Sequence, residues 1–228
     1  MRTLFDRELS EIREGLQILS SRATGATARA VAALTNRNFD EAREVKRDDK
    51  FMDDLRYQVE NECLLAMATQ QPVARDLREL VAATFVAVEL ERCGDYAKGI
   101  AKAARKITRS DSGLATFNLA EMDVCARSML EDSTRAFLSR DVVLARAVIV
   151  ADAIIDKHYS DLLNHTMQAM SENVKHIECG TWLLHAGHCL ERVGDRATNI
   201  SERVIFVETG EITGDLNTNG ADAMRGSR

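Results

Sequence analysis

The sequence predicts an all-α fold: two tandem, similar three-helix bundles, six helices in all. Three observations predict it. Apolar residues recur at helical spacing along most of the chain. The composition is that of a soluble helical protein, with one proline in 228 residues, 45% apolar residues, 29% charged residues and few aromatics. Finally, LERCGDYAKGI at 90–100 returns as LERVGDRATNI at 190–200, with Leu, Glu, Arg, Gly, Asp, Ala and Ile in register. Such internal self-similarity marks a duplicated structural unit.

The first helix follows from Phe5, Leu9, Ile12, Leu16 and Leu19, a stripe continued by Ala23, Ala26, Ala30 and Leu34. In TNRNFDEAREV, Asn38 is an N-cap with Glu41 three residues on, a capping-box spacing that opens a second helix running to about Thr69. Pro72, in QQPVARDLREL, is placed at the first position of a third helix that runs to about Ile107, because a proline there costs no hydrogen bond. RSDSGLATF at 109–117 is the most loop-like interior segment and the expected seam. Beyond it NRNFDEAREV (36–45) is echoed by SRDVVLARAV (139–148), an offset of 103, while the later motif repeats with an offset of 100. Helices two and three therefore correspond to five and six, and helix one to helix four. The expected units are 1–108 and 109–210, followed by a frayed tail at 211–228, rich in Gly, Asn, Thr and Asp.

A net charge of -6 excludes a protein that binds nucleic acid through a broad basic face. The longest apolar run, VAATFVAV at 81–88, is far too short to span a membrane, and the charged N-terminal segment does not read as an export signal. Five cysteines without C-x-x-C spacing sit mostly inside apolar patterns and suit a reducing cytosol. Met52, Met67, Met122, Met129, Met167 and Met170 are expected to fill the core.

The repeated acids carry the functional signal. Helix two has Asp49 and Asp53 four apart, and helix three has Glu91 and Asp95 four apart. The two offsets carry these to Asp152 and Asp156, and to Glu191 and Asp195. Residues four apart differ by about 40° in azimuth, so each pair forms a carboxylate column on one helix face. On the third helix Val73, Leu77, Leu80, Thr84 and Val88 share the sector of Glu91 and Asp95, so an apolar stripe runs into the acids. Gly94 and Gly194 would let a neighbouring helix approach beside the columns. If the columns of two helices face each other, four carboxylates meet and some pKa values rise. Two readings stay open. The acids are surface charge bridged around the rim by residues such as Arg92 and Arg192, or they hold a hard di- or trivalent cation, since clustered carboxylate oxygens suit Mg, Mn, Ca and ferric iron. His185 and His188 offer a histidine ligand in the second unit only. No Walker loop, dinucleotide fingerprint, nucleophile elbow or EF-hand loop is present. A metal-dependent hydrolase using the clustered carboxylates to activate water is the alternative function.

With QQPVARDLREL, both L-E-R-x-G-D segments, both D-x-x-x-D segments and the opening LFDRELSEIREGL, the chain resembles the PhoU family of bacterial phosphate transport and signalling regulators over about residues 3–208. The resemblance implies two three-helix bundles and no catalysis. It also implies metal sites at Asp49, Asp53, Glu91 and Asp95, and at Asp152, Asp156, Glu191, Asp195 and Asn199, holding iron, zinc, manganese or magnesium. Gly99 stands where the second unit has Asn199, which implies a weaker or differently coordinated first site. The implied role is a cytoplasmic negative regulator of the phosphate-starvation response, an adaptor between the ATPase subunit of the phosphate ABC transporter and the phosphate sensor histidine kinase. A homodimer is the implied assembly, with the membrane reached only through partners.

Overall fold

The computed structural model describes residues 2–47, 49–107, 114 and 116–211. Its helices are α1 (Arg2–Thr35), α2 (Phe39–Arg47), α3 (Asp49–Gln70), α4 (Ala74–Ile107), α5 (Leu119–Ser139), α6 (Val142–Glu172) and α7 (His176–Thr209). With α2 and α3 together taken as the expected second helix, these are the six expected helices, and no strand occurs among the described residues. None of the helices is long and apolar enough to cross a membrane. Most of the 109–117 segment and all of the tail beyond Glu211 lie outside the described residues.

The α1 stripe behaves as its spacing requires. Ile12, Leu16, Leu19, Ala23, Ala30 and Leu34 are all buried against the rest of the bundle, and each large side chain contributes about 1.5–3 kcal/mol by leaving water. Turns are duplicated along with helices. Arg37 (φ 52°) and Arg140 (φ 58°) both take the left-handed conformation at equivalent positions. In the first turn the Glu41 N–H donates to Asn38 Oδ1 at 3.1 Å, and in the second the Leu144 N–H donates to Asp141 Oδ1 at 2.9 Å. Each satisfies one orphan donor of a helix start. The capping box is only half formed, because the Glu41 carboxylate pairs with Arg29 of α1 instead of returning to Asn38.

Pro72 corrects the expected start of α4. Gln71 (φ 49°) and Ala74 (φ 51°) are left-handed, and the helix begins at Ala74, two residues beyond the proline. A left-handed residue cannot propagate a right-handed helix, so the turn holds Pro72 outside it.

The two units meet through counterparts. Their contacts are α4 with α7 and α1 with α5, each helix against its own duplicate, as an approximate two-fold relation produces. α4 and α7, of 34 residues and about 51 Å each, run antiparallel. At one end the Arg78 guanidinium donates to the Val207 carbonyl at 3.0 and 2.9 Å, in the middle Glu89 reaches Arg196, and at the other end Gly99 abuts Cys189. Within the second unit α7 turns Gly180, Gly187 and Gly194, seven apart, toward α6, where added Cβ atoms would lie 2.6 Å from Met170 Sδ, 2.3 Å from Leu162 Cδ2 and 3.0 Å from Ile155 Cγ2. The missing side chains let the two axes close up. Met167 corrects the core-filler reading, being 57% exposed on α6, whereas Met52, Met122 and Met129 are buried.

Candidate functional site

The structure brings together the four acids of the second unit, and Asp53, Glu91 and Asp95 of the first, across two helices. In the second unit α6 supplies Asp152 and Asp156, and α7 supplies Glu191 and Asp195. Gly194 is the reason the columns come close: its hydrogen side faces Ile155, and a Cβ there would lie 3.6 Å from Asp152 Oδ1. Asp152 is raised above the ordinary aspartate range by burial, then by the charges of Asp156 and Asp195, with the Thr198 hydroxyl opposing. Glu191 is raised by burial and by Asp195, with Arg192 and His188 pulling the other way and Asp156 adding to the rise. These mutual effects place all four carboxylates in one electrostatic site, as like charges in a partly dry setting must. Asp152 Oδ1 is buried without a hydrogen bond, whereas Glu191 Oε2, equally buried, meets His188 Nδ1 at 3.3 Å and Arg192 Nε at 3.6 Å. A buried anionic oxygen without a donor is costly unless a cation compensates it.

In the first unit α3 supplies Asp53, and α4 supplies Glu91 and Asp95; the side chain of Asp49 lies outside the described residues. Glu91 is raised by burial and by Asp95, opposed by Arg56, and Asp53 hydrogen-bonds to it and raises it further. Asp95 is half-exposed and pairs with Lys98 at 2.5 Å.

Charges beside the acids differ between the units. Arg192 lies at the rim, 2.7 Å from Asp195 and 3.6 Å from Glu191, and His188 Nδ1 is 3.3 Å from Glu191 Oε2. Arg92 does not reach the first quartet; it lies 3.4 Å from Glu89. His185 points elsewhere, to Cys189 Sγ at 3.9 Å and edge-on to Trp182. Asn199 donates its Nδ2 to Glu89 Oε2 at 3.2 Å, across the α4–α7 seam. The apolar stripe expected to lead into the acids is mostly on the surface. Val73 and Leu77 are exposed, and only Leu80 is buried, so the quartets occupy a half-open face.

Among the described residues no three His, Cys, Asp or Glu side chains converge into a ready cage for a metal ion. The donor set is nonetheless all oxygen with one orphaned atom, Asp152 Oδ1, which suits a hydrated hard cation that takes one or two carboxylates and keeps its water.

Two acids were missed by sequence reasoning. Glu79 and Glu89, 2% and 1% exposed, sit on the most buried stripe of α4 with Ala82, Val86 and Cys93. Glu79 accepts from Arg13 of α1 at 3.0 and 2.5 Å and from Arg140 of the α5–α6 turn. Glu89 accepts from Arg196 at 3.1 Å as well as from Asn199. A carboxylate on an otherwise apolar stripe was the available signal, since such a charge must find a partner.

The family model described as the PhoU domain matches twice, at residues 16–104 and 119–204, once in each unit. A phosphate-specific transport system accessory protein PhoU homolog of Caulobacter vibrioides is 33% identical over 208 residues, 91% of this chain and 90% of that protein. A homolog of the same description from Clostridium acetobutylicum is 31% identical, over 95% of this chain and 99% of its own length. The crystal structure of PhoU from Pseudomonas aeruginosa superposes with a TM-score of 0.86 at 27% identity, over 91% of this chain and all of that one. The phosphate transport system regulatory protein PhoU from Streptococcus pneumoniae gives 0.85 at 29% identity, over 91% and 98%.

Proposed function

The chain belongs to the PhoU family, and from that premise we propose that it regulates a phosphate-specific transport system as an accessory protein, without a catalytic step of its own. The observation that carries this reading is the match in both units to relatives named as accessory proteins of that system, over nearly their whole length. In finer terms the chain is a cytoplasmic adaptor between the transporter ATPase subunit and the phosphate sensor kinase. It holds the starvation response off while phosphate is plentiful. Two similar bundles joined through counterpart helices supply two related faces for two partners.

The acidic quartets belong to the same reading. Asp152, Asp156, Glu191 and Asp195 would hold a hard cation, with Asp49, Asp53, Glu91 and Asp95 as the duplicate. Such an ion supplies positive charge that cancels the mutual repulsion of the acids and fixes α6 against α7, and α3 against α4. The buried Asp152 oxygen without a hydrogen bond supports it.

Deletion of the gene is expected to leave phosphate-responsive genes on in high phosphate, and complementation to restore repression. Continued repression in the deletion strain, with no second copy of the gene present, would refute the regulatory role. Pull-down of the purified chain with the ATPase subunit and the kinase cytoplasmic domain tests direct contact. For the metal, elemental analysis and a thermal shift with manganese are expected to show binding that Asp195→Ala and Asp152→Ala reduce. Binding unchanged in both variants would remove the ion from this site and leave the regulatory reading standing.

A further inference from the structure

Between α2 and α4 lies a cavity of about 390 Å³ whose wall is basic. Lys46 comes from α2, and Lys98, Lys102, Arg105 and Lys106 come from the last three turns of α4. In a chain of net charge -6, this convergence is anomalous. Asp95, paired with Lys98, offsets part of it. Among the described residues no carboxylate pairs with Lys46, Lys102 or Lys106.

Helix dipoles account for part of the arrangement. Lys46, Arg105 and Lys106 lie in the last turns of α2 and α4, where cations are favoured. Lys98 and Lys102 lie farther back, beyond the reach of that effect, yet they line the same space. Packing holds the cations in place from behind. The Arg105 guanidinium lies 5.2 Å from the Phe39 ring centroid, and the Lys102 and Lys106 ammoniums lie 5.5 and 5.7 Å from that of Trp182. The missing Cβ of Gly99, which also lines the cavity, lets α4 sit directly on Cys189 of α7. The volume falls in the range of small-ligand sites.

We infer that this cavity is a binding site for a compact polyanion of linked phosphates, pyrophosphate or longer, free or as the tail of a nucleotide. Among the described residues no carboxylate pairs with Lys46, Lys102, Arg105 or Lys106, and they present a positive charge that linked phosphates match within a few ångströms. A single orthophosphate or a dicarboxylate would neutralise only part of it. An extended nucleic acid needs a long basic track, which the net acidity of the chain opposes. The lysines act as mobile point charges, which suits phosphate oxygens presented at several angles.

The site shares the Lys98–Asp95 pair with the first acidic quartet and does not rest on the transport reading. Trp182 is the sole tryptophan, so its emission reports movement of Lys102 and Lys106. The full-length chain, treated with chelator, is titrated with orthophosphate, pyrophosphate, tripolyphosphate and ATP, and affinity is checked by calorimetry. Tripolyphosphate is expected to bind saturably, at least tenfold more tightly than orthophosphate, and to weaken as salt rises. The Lys46→Ala, Lys102→Ala double variant is expected to lose tenfold or more, and Lys102→Gln alone a measurable part, without change in the melting curve. Arg7→Ala, on the exposed face of α1, is expected to change nothing. ATP binding as tightly as tripolyphosphate identifies a phosphate tail as the whole determinant; ATP binding more tightly identifies a nucleotide. No saturable binding at low salt, affinity retained within twofold in the double variant, or an equal loss in Arg7→Ala overturns the inference.

Discussion

Removing the Glu89 carboxylate is expected to be among the most damaging single changes at the seam between the units. Glu89 is 2% exposed, accepts from Arg196 at 3.1 Å and from Asn199 at 3.2 Å, and has Arg92 at 3.4 Å. Arg92 is half-exposed and adds little. Arg196 is only 16% exposed, so Glu89→Ala strands a largely buried guanidinium and an amide donor. Breaking one partner of a buried pair costs about 3–5 kcal/mol. Discounting for the residual exposure of Arg196 gives about 3 kcal/mol. In a chain of this size each kcal/mol lowers Tm by about 2–4 °C, so a fall of about 6–12 °C is expected.

Thermal unfolding followed by circular dichroism measures it directly. Glu89→Gln keeps a polar acceptor and is expected to lose about half as much. Replacing both Glu89 and Arg196 with Met is expected to recover most of the loss, because a well-packed apolar pair avoids the desolvation of two charges. A Tm change under 2 °C for Glu89→Ala, or one no larger than that of Arg92→Ala, would refute the assignment of this carboxylate as a buried joint.

Other outcomes follow from packing and burial. Gly187→Ala gains about 1 kcal/mol of helix propensity but drives a Cβ to within 2.3 Å of Leu162 Cδ2; a net loss of about 1–2 kcal/mol is expected. Combined with Leu162→Ala it should cost less than the sum of the two single changes, and strict additivity in denaturant melts would count against the contact. Burial pushes the Cys63 thiol up to about 12 and the Cys189 thiol up to about 11, from an ordinary value of 9.0. The unfolded chain ionises first, so both thiols contribute stability that is complete below pH 9 and lost as pH rises toward 11 and 12. Cys63→Ala and Cys189→Ala are expected to flatten the alkaline limb of the stability profile, and iodoacetamide at pH 8 should label neither thiol before unfolding. An unchanged limb in both variants refutes the ionisation account.

The sequence made the strictly periodic parts of the fold legible. The α1 stripe, the Asn38 cap and its duplicate Asp141 all rest on local spacing that a single window records. What escaped it depends on distant chain. The partners of Glu79 and Glu89 lie 61 to 110 residues away, so only the misplaced charge was visible and not its solution. The left-handed Gln71 and Ala74 that exclude Pro72 from α4 carry no composition signal, being neither glycine nor asparagine. The basic cavity joins two helices whose lysines read separately as ordinary surface charge.

Asn199 and Gly99 set a packing account of a duplicated position against a ligand account. The sequence suggests that Asn199 adds an oxygen to the second quartet and that Gly99 weakens the first. In the structure both residues face the α4–α7 seam, at opposite ends of its approximate two-fold. Asn199 meets Glu89, and Gly99 meets Cys189, the counterpart of Glu89. One end is ionic and the other is apolar, so the pair exchanged a hydrogen-bonded contact for close packing. A Cβ on Gly99 would stand 2.8 Å from Cys189 Sγ and 3.6 Å from His185 Nε2. Gly99→Asn is therefore expected to cost about 1–3 kcal/mol through overpacking, with part of the loss recovered by Cys189→Ala, and to leave metal affinity at Asp53, Glu91 and Asp95 unchanged within twofold. Chemical denaturation and a manganese titration separate the two effects. A Gly99→Asn chain that melts like the parent and binds metal more tightly would restore the ligand role and remove the packing explanation.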